Sequence, residues 1–495
     1  MDDEILTGKD LIDLGYTPGP VFSEVLREAR ERKLSRSQAL KMAQERLAKA
    51  AAAEAQARSR RMMLRDAPLP YQSNITADHP DEEQNVAAVR ASFDELMRTP
   101  TIEAGAIMPD ACPAGPPGTI PVGGVVAARD AIHPGMHSAD ICCSLTASFY
   151  DDVAPGALLN AIHEVTHFGP GGRPRADEMP LPKELHQAIR DHHLLRGNAR
   201  LQQMVQSHFG TQGDGNHFAF VGRSEATGRT TLVTHHGSRG FGALLYKMGI
   251  EIAEQFRREI APDTLPANAW IPASSREGEL YWQALELLRE WTRLNHAALH
   301  DAASRLLRAK VADRLWNPHN FVFREADGDP RGDLFWHAKG ATPIHDPLQH
   351  DTTGMQIVPL NMAQPVLLVR GERNARNLGF APHGAGRNMS RTQHRRRMAG
   401  RTDAEIFAQE TAGLDVRFHS RRVDISELPS AYKDADSVRA DMARFDLARV
   451  VDEIAPYGSI MAGDWQADAP WKRKAAARRA RRERATVEPQ ADSVG

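Results

Sequence analysis

Cysteine is scarce: the 495-residue chain contains three, Cys112, Cys142 and Cys143, two of them adjacent. An odd, clustered set argues against a disulfide-braced secreted scaffold and for a reducing setting, here the cytoplasm. Long apolar runs are missing too. No stretch approaches eighteen uninterrupted apolar residues, so no membrane-spanning helix is expected. The acidic N-terminus has no apolar h-region, and no signal peptide is expected. Internal repeats and a Walker-type phosphate loop are absent as well. Net charge is close to nil at −2, which excludes a generic polyanion binder. That charge is uneven, however: residues 471–484 hold eight Lys/Arg and one Glu, a local +7 that leaves −9 elsewhere. What the chain does have is length enough for a large core and twenty-one histidines.

Composition divides the sequence into four parts. Residues 1–65 read as a helical extension. Phe22, Val25, Leu26 and Ala29 follow the spacing of an amphipathic helix entered from Pro18-Gly19-Pro20, and Ser35-x-x-Gln38 is a capping box for a second helix ending near Arg61. Residues 66–95, with their prolines and aspartates, read as a connector. Residues 96–463 are globular, with short apolar runs between Gly-rich loops. Within them, 108–127 suggests strand and turn, and 278–311 predicts a helix with Leu280, Ala284, Leu287 and Leu288 on one face. Mixed elements without regular βαβ alternation predict an α+β fold rather than a doubly wound sheet. Residues 464–495 read as a basic, disordered tail able to bind nucleic acid through charge alone.

The densest chemical signal is Pro382-His383-Gly384-Ala385-Gly386-Arg387-Asn388-Met389-Ser390-Arg391. Small residues let a phosphate approach the backbone, arginines offer forked donors, and a histidine there can act as acid, base or covalent nucleophile. Four other clusters offer ligand atoms: Asp140-Ile141-Cys142-Cys143, Asn216-His217, His235-His236-Gly237-Ser238-Arg239 and His319-Asn320. Single ligands scattered over several loops suit a catalytic metal centre better than a structural zinc site, although softness alone does not separate zinc, manganese and iron. Lys339-Gly340-Ala341-Thr342 adds a second basic, Gly-containing loop. Two phosphate-type loops with a metal set describe metal-assisted phosphoryl or nucleotidyl transfer.

These motifs, with Gly213-x-Gly215-Asn216-His217 and Ala431-Tyr432-Lys433-Asp434, stand in the order of the RtcB family of RNA ligases, which residues 96–463 resemble. The resemblance implies joining of RNA 3′-phosphate or 2′,3′-cyclic phosphate ends to 5′-hydroxyl ends, with two Mn2+ ions and GTP. It implies that His383 is the nucleophile that becomes guanylylated. Asp140, Cys143, His217, His235 and His319 match the metal ligands, Cys143 bridging both ions. Asn216, Lys339, Arg387 and Tyr432 match nucleotide- or phosphate-contacting positions, and Arg239 sits in the same basic loop. RNA carrying those ends is the implied partner, with a helper protein as a further candidate. Separately, Thr7–Ala29 is similar to a helical segment of tRNA nucleotidyltransferases, a pattern that an ordinary helical hairpin also explains.

Several positions depart from the family pattern. Cys142 and Ser144 replace glycines of the metal loop, Cys112 replaces a histidine, and Phe220 a glutamate. Ala338 replaces an arginine, Leu360-Asn361 a Gly-Ser pair, and Ala462 a lysine. A divergent member is therefore expected, whose nucleotide or RNA preference differs. Two other functions compete: a 3′-end nucleotidyltransferase that caps without sealing, and a non-catalytic RNA-binding protein on the ligase fold.

Overall fold

A computed structural model describes residues 6–16, 20–59, 61–77, 80–344, 348 and 354–465. The basic stretch from Trp471 lies outside the described residues. The chain divides into two compact units, one of residues 1–64 and 255–264, the other of residues 65–254 and 265–495.

In the first unit the helices Gly8–Asp13, Pro20–Glu31 and Arg36–Ser59 share a small core. Leu6, Leu11, Phe22, Val25, Ala29, Ala39, Ala43 and Leu47 are its buried members. The predicted stripe is thus the buried one, with Leu26 at its margin. The capping box forms too: Ser35 N–H donates to Gln38 Oε1 at 3.1 Å, and Gln38 N–H to Ser35 Oγ at 3.4 Å.

The second unit has an α+β fold built on two sheets. The larger is antiparallel along Met355–Val358, Val366–Arg370, Arg449–Met461, Phe218–Ser224, Thr230–His236, Ser144–Tyr150 and Asp313–Pro318. Asp415–Phe418 adds to it as a parallel partner of Arg449–Met461. Helices Pro155–Val165 and Arg276–Leu307 cover one face through Leu159, Ile162, Leu299 and Ala303, packed on Ala219, Val221 and Leu232. On the opposite face lie Leu145, Ala147, Phe220, Val233, Val366 and Ile454, as the two-residue period of a strand requires.

The smaller sheet runs Gln72–Ser73, Ile102–Cys112, Val122–Arg129, Leu334–Lys339 and Asn320–Glu325. It corrects the reading of residues 66–95 as a connector. That segment contains the helix Pro80–Leu96, whose Val86, Val89, Phe93 and Leu96 are buried against Ile102, Ile107 and Val126. Four fully enclosed apolar side chains make it part of the core.

Helix Arg276–Leu307 lies where the sequence predicts one, capped by Ser275 and ended by Arg308 in the left-handed conformation. Its buried face is rotated from the expected one. Tyr281, Ala284, Leu285, Leu288, Trp291, Asn295, His296 and His300 face inward, while Leu280 and Leu287 are half-buried.

Candidate active site

Sheet edges and short loops bring the ligand candidates to one place. Cys143 immediately precedes strand Ser144–Tyr150, which pairs with Thr230–His236 and Asp313–Pro318 on its two sides. The first neighbour carries His235, and the second ends one residue before His319. His217 directly precedes Phe218–Ser224, on the far side of Thr230–His236. Four ligand candidates thus sit on adjacent strand ends.

Their donor atoms form two triads that share the Cys143 sulfur. One joins Cys143, His235 and His319; the other joins Asp140, Cys143 and His217, each with donors within 4.8 Å of one another. Cys143 Sγ lies 3.2 Å from His235 Nε2 and 3.6 Å from His217 Nε2. His235 Nε2 is 3.1 Å from His319 Nε2, and His217 Nε2 is 3.1 Å from Asp140 Oδ2. Backbone carbonyls fix two of these rings from behind. His217 Nδ1 donates to Gln212 O at 2.6 Å and His235 Nδ1 to Asn216 O at 3.1 Å, which leaves both Nε2 lone pairs facing the cluster. Burial pushes His235 down to about 3 and His319 well below the ordinary imidazole range, so both are neutral, the form that binds a metal. Burial and the Asp140 carboxylate push the Cys143 thiol well up, so its thiolate form needs a neighbouring cation. Converging nitrogens, a sulfur and a carboxylate fit one or two divalent ions.

Local backbone choices make room for this cluster. A side chain at Gly237 would collide with Asp140 Oδ1. Cys142, in place of a glycine, adopts φ 57°, and its N–H donates to Asn320 O at 2.6 Å.

His383 follows the short pair of strands Ala341–Pro343 and Phe380–Pro382. Its ring lies 4.7 Å from that of His319. Asp110, fully buried on strand Ile102–Cys112, accepts from His383 Nδ1 at 2.5 Å and from the His383 N–H at 3.2 Å. This fixes the tautomer that leaves Nε2 unprotonated. Gly386, at φ 71°, lets the loop pass over Asp110, whose carbonyl a Cβ would strike.

A cavity of about 330 Å³ opens over His383, lined also by Asp140, Cys143, His235, His319, Asn216, Lys339, Arg387 and Tyr432. Burial lowers the Lys339 ammonium, and its Nζ donates to Ile120 O at 3.2 Å. Arg387 lies 4.4 Å above the Tyr432 ring and donates to Glu427 Oε2 at 2.7 Å and to Ser426 O at 2.5 Å. Tyr432 donates to the same Glu427 oxygen at 2.6 Å, and burial with that carboxylate pushes its phenol up, so it stays protonated.

Arg239 is not brought to the cavity. Its guanidinium donates to Gly169 O at 3.1 Å and Thr211 Oγ1 at 3.3 Å, a brace for the loop before His217. Ala462 is also elsewhere, fully buried with Leu159, Ile162 and Phe168. Two participants escape sequence reasoning: Asp110, which holds His383, and Glu427, which holds Arg387 and Tyr432. The signal for Asp110 is an acid inside an apolar strand, which must have a buried partner. Glu427 offers no comparable signal.

Fold and site together define an α+β protein with a shared-thiolate double donor set beside a carboxylate-held histidine. The family described as tRNA-splicing ligase RtcB matches residues 92–462. The chain belongs to the RtcB family. Curated relatives include the tRNA-splicing ligase RtcB of Aeropyrum pernix, 28% identical over 50% of this chain and 58% of that protein. The RNA-splicing ligases RtcB of Mycobacterium tuberculosis (29% identical; 53% of this chain, 66% of that one) and Escherichia coli K12 (27%; 49% and 59%) are similar too. The chain thus covers less than two thirds of the length of each of these relatives. Among the described residues, no helix is long and apolar enough to cross a membrane.

Proposed function

We propose that this chain is an RNA ligase that joins 3′-phosphate or 2′,3′-cyclic phosphate ends to 5′-hydroxyl ends through a nucleotidyl-histidine, in RNA repair or tRNA splicing. The observation that carries the reading is His383, held by Asp110 through Nδ1, with its ring against His319 of the donor cluster. His383 Nε2 attacks the α-phosphorus of a nucleoside triphosphate, GTP by resemblance. The N–P bond forms as the bond to the β-phosphate oxygen breaks and pyrophosphate leaves. Asp110 stabilises the positive charge that the ring gains. The nucleotidyl group then passes to the RNA 3′-phosphate, and His383 regains its neutral form. Attack by the 5′-hydroxyl joins the ends and releases the nucleoside monophosphate. A cyclic end is first hydrolysed to the 3′-phosphate.

Lys339 and Arg387 line the cavity as the cations that face phosphate oxygens, and Glu427 and Tyr432 keep Arg387 in position. Asn216 adds an amide to the same wall. Asp140, Cys143, His217, His235 and His319 are the residues that would hold divalent ions, manganese by resemblance. Bound there, such ions offset the negative charge on the phosphates.

Incubation with α-labelled GTP or ATP and manganese tests the reading. An acid-labile covalent label that is absent in His383→Ala is expected, followed by sealing of an RNA pair with 3′-phosphate and 5′-hydroxyl ends. Capped but unjoined RNA would favour the nucleotidyltransferase instead. If no nucleotide labels the protein with any divalent metal, both enzymatic readings fail.

A further inference from the structure

The cavity over His383 has a second end of different chemistry. Phe218 and Phe220 project from the same face of strand Phe218–Ser224. Phe218 lies in register between His235 and Met461, and Phe220 between Val233 and Ser459. The row that begins with the ligand candidate His235 therefore continues into apolar surface. Val366, one strand further across the sheet, and Leu360 and Met362, from the turn before it, complete this end.

Polar atoms are few here. Ser459 Oγ is buried and has no hydrogen-bond partner among the described residues. Asn361 uses its side-chain carbonyl on the Ala363 N–H at 2.9 Å. Among the described residues two carboxylates line the cavity, Asp140 and Glu427, and both are engaged elsewhere. Asp140 belongs to the donor cluster, while Glu427 holds Arg387, Tyr432 and Arg391.

We infer that this apolar end seats the base of the nucleotide that His383 receives, and that it does not select guanine: ATP is used at least as well as GTP. The inference rests on the nucleotidyl-transfer reading above. Guanine carries adjacent N1–H and N2–H2 donors, which a dry site satisfies with a carboxylate or paired carbonyls. Among the described side chains at this end none is a carboxylate, and the Asn361 side-chain carbonyl is taken by the Ala363 N–H. An unmet buried donor weakens binding by roughly tenfold or more. Adenine presents one amino group beside an acceptor nitrogen, and the single Ser459 hydroxyl can serve either. The phenyl groups of Phe218 and Phe220 offer contact to any purine face, a sequence-tolerant interaction. A pocket of this kind discriminates weakly, because strong rejection needs a polar partner that the wrong base leaves unpaired.

The test uses the full chain with Mn2+ and α-labelled ATP or GTP, reading the rate of labelling at several nucleotide concentrations. The expected kcat/KM ratio of ATP to GTP is one or more; a preference for GTP of tenfold or greater overturns the inference. Phe220→Glu, which places an acceptor between Val233 and Ser459, should move the ratio at least tenfold toward GTP. A folded Phe220→Glu protein with an unchanged ratio overturns the placement of the base. Ser459→Ala is the milder variant if the glutamate prevents folding. It should reduce labelling by ATP about threefold more than labelling by GTP, and equal effects on both count against the inference. If neither nucleotide labels the wild-type chain, calorimetric binding of non-hydrolysable ATP and GTP analogues separates the two claims. An ATP analogue bound at least as tightly as its GTP counterpart keeps the base assignment while the ligase reading falls. Tighter GTP-analogue binding, or none by either, removes the base assignment too.

Discussion

The two ends of the cavity over His383 are built on opposite principles. At the ligand end, three of the four histidine rings are positioned by a second group: His217 and His235 by backbone carbonyls, and His383 by Asp110, whereas His319 Nδ1 has no hydrogen-bond partner among the described residues. At the apolar end, Phe220, Val366 and Met461 are held by apolar packing, and Ser459 Oγ has no hydrogen-bond partner among the described residues. Hydrogen-bonded placement fixes orientation, which acid–base and ligand chemistry needs. Packing fixes shape and volume, which tolerates related occupants. The same sheet supplies both, because adjacent strands carry one chemistry at their ends and another along their faces.

Substitutions should divide along that line. His383→Ala is expected to have the largest effect, abolishing covalent labelling, a loss of at least about 10³-fold, without changing the melting temperature by more than a few degrees. Next comes Cys143→Ala, which removes the one atom common to both triads. Manganese should raise the melting temperature of the wild-type protein, a rise that chelator reverses. In Cys143→Ala the rise should vanish and labelling should fall at least about a hundredfold. Phe220→Ala offers the contrast: it should lower stability by about 3–5 kcal/mol and leave the manganese-induced shift in place. If Phe220→Ala abolishes the metal response while Cys143→Ala keeps it, the two ends are not separable. Asp110→Asn should come between, slowing labelling about a hundredfold with the manganese shift intact, because an amide can hold the ring but stabilises imidazolium poorly. A metal response lost in Asp110→Asn would mean that Asp110 serves the ligand cluster rather than His383.

The same contrast explains what was legible in the sequence. His383 and the five ligand candidates are legible because their motifs stand in the order of the RtcB family, no cluster being decisive alone, and the structure gathers all six. Asp110 is signalled only as an acid inside an apolar strand, and its partner, 273 residues away in sequence, is not. Helix Arg276–Leu307 was legible in extent but not in orientation. Its inward face includes His296 and His300, which Thr234 Oγ1 meets at 2.7 and 2.8 Å, and apolar periodicity assigns such residues to solvent. Prolines and aspartates concealed the helix Pro80–Leu96, whose buried positions are visible only once Ile102 and Ile107 lie against them. Arg239 reads as a phosphate ligand from its Gly/Ser loop, yet the carbonyl of Gly169 claims it. Sequence therefore revealed residues carried by ordered motifs and missed those defined by a distant partner.

The smallest expected effect concerns Cys142, neighbour of the shared ligand. Its φ of 57° is a conformation that costs a non-glycine residue about 1–2 kcal/mol, and glycine removes that cost. The Cys142 side chain is fully buried, beside Thr292 of helix Arg276–Leu307. Losing its buried atoms costs on the order of 1–2 kcal/mol, so Cys142→Gly should change stability by less than about 1 kcal/mol in denaturant unfolding. Metal response and labelling should match wild type, since the Cys142 N–H bond to Asn320 O needs no side chain. Cys142→Val enlarges the buried side chain and adds a branched Cβ in a left-handed conformation, and should cost at least about 2 kcal/mol. Equal tolerance of glycine and valine would show that the left-handed turn is dispensable and that the ligand end, like the apolar one, is held by packing.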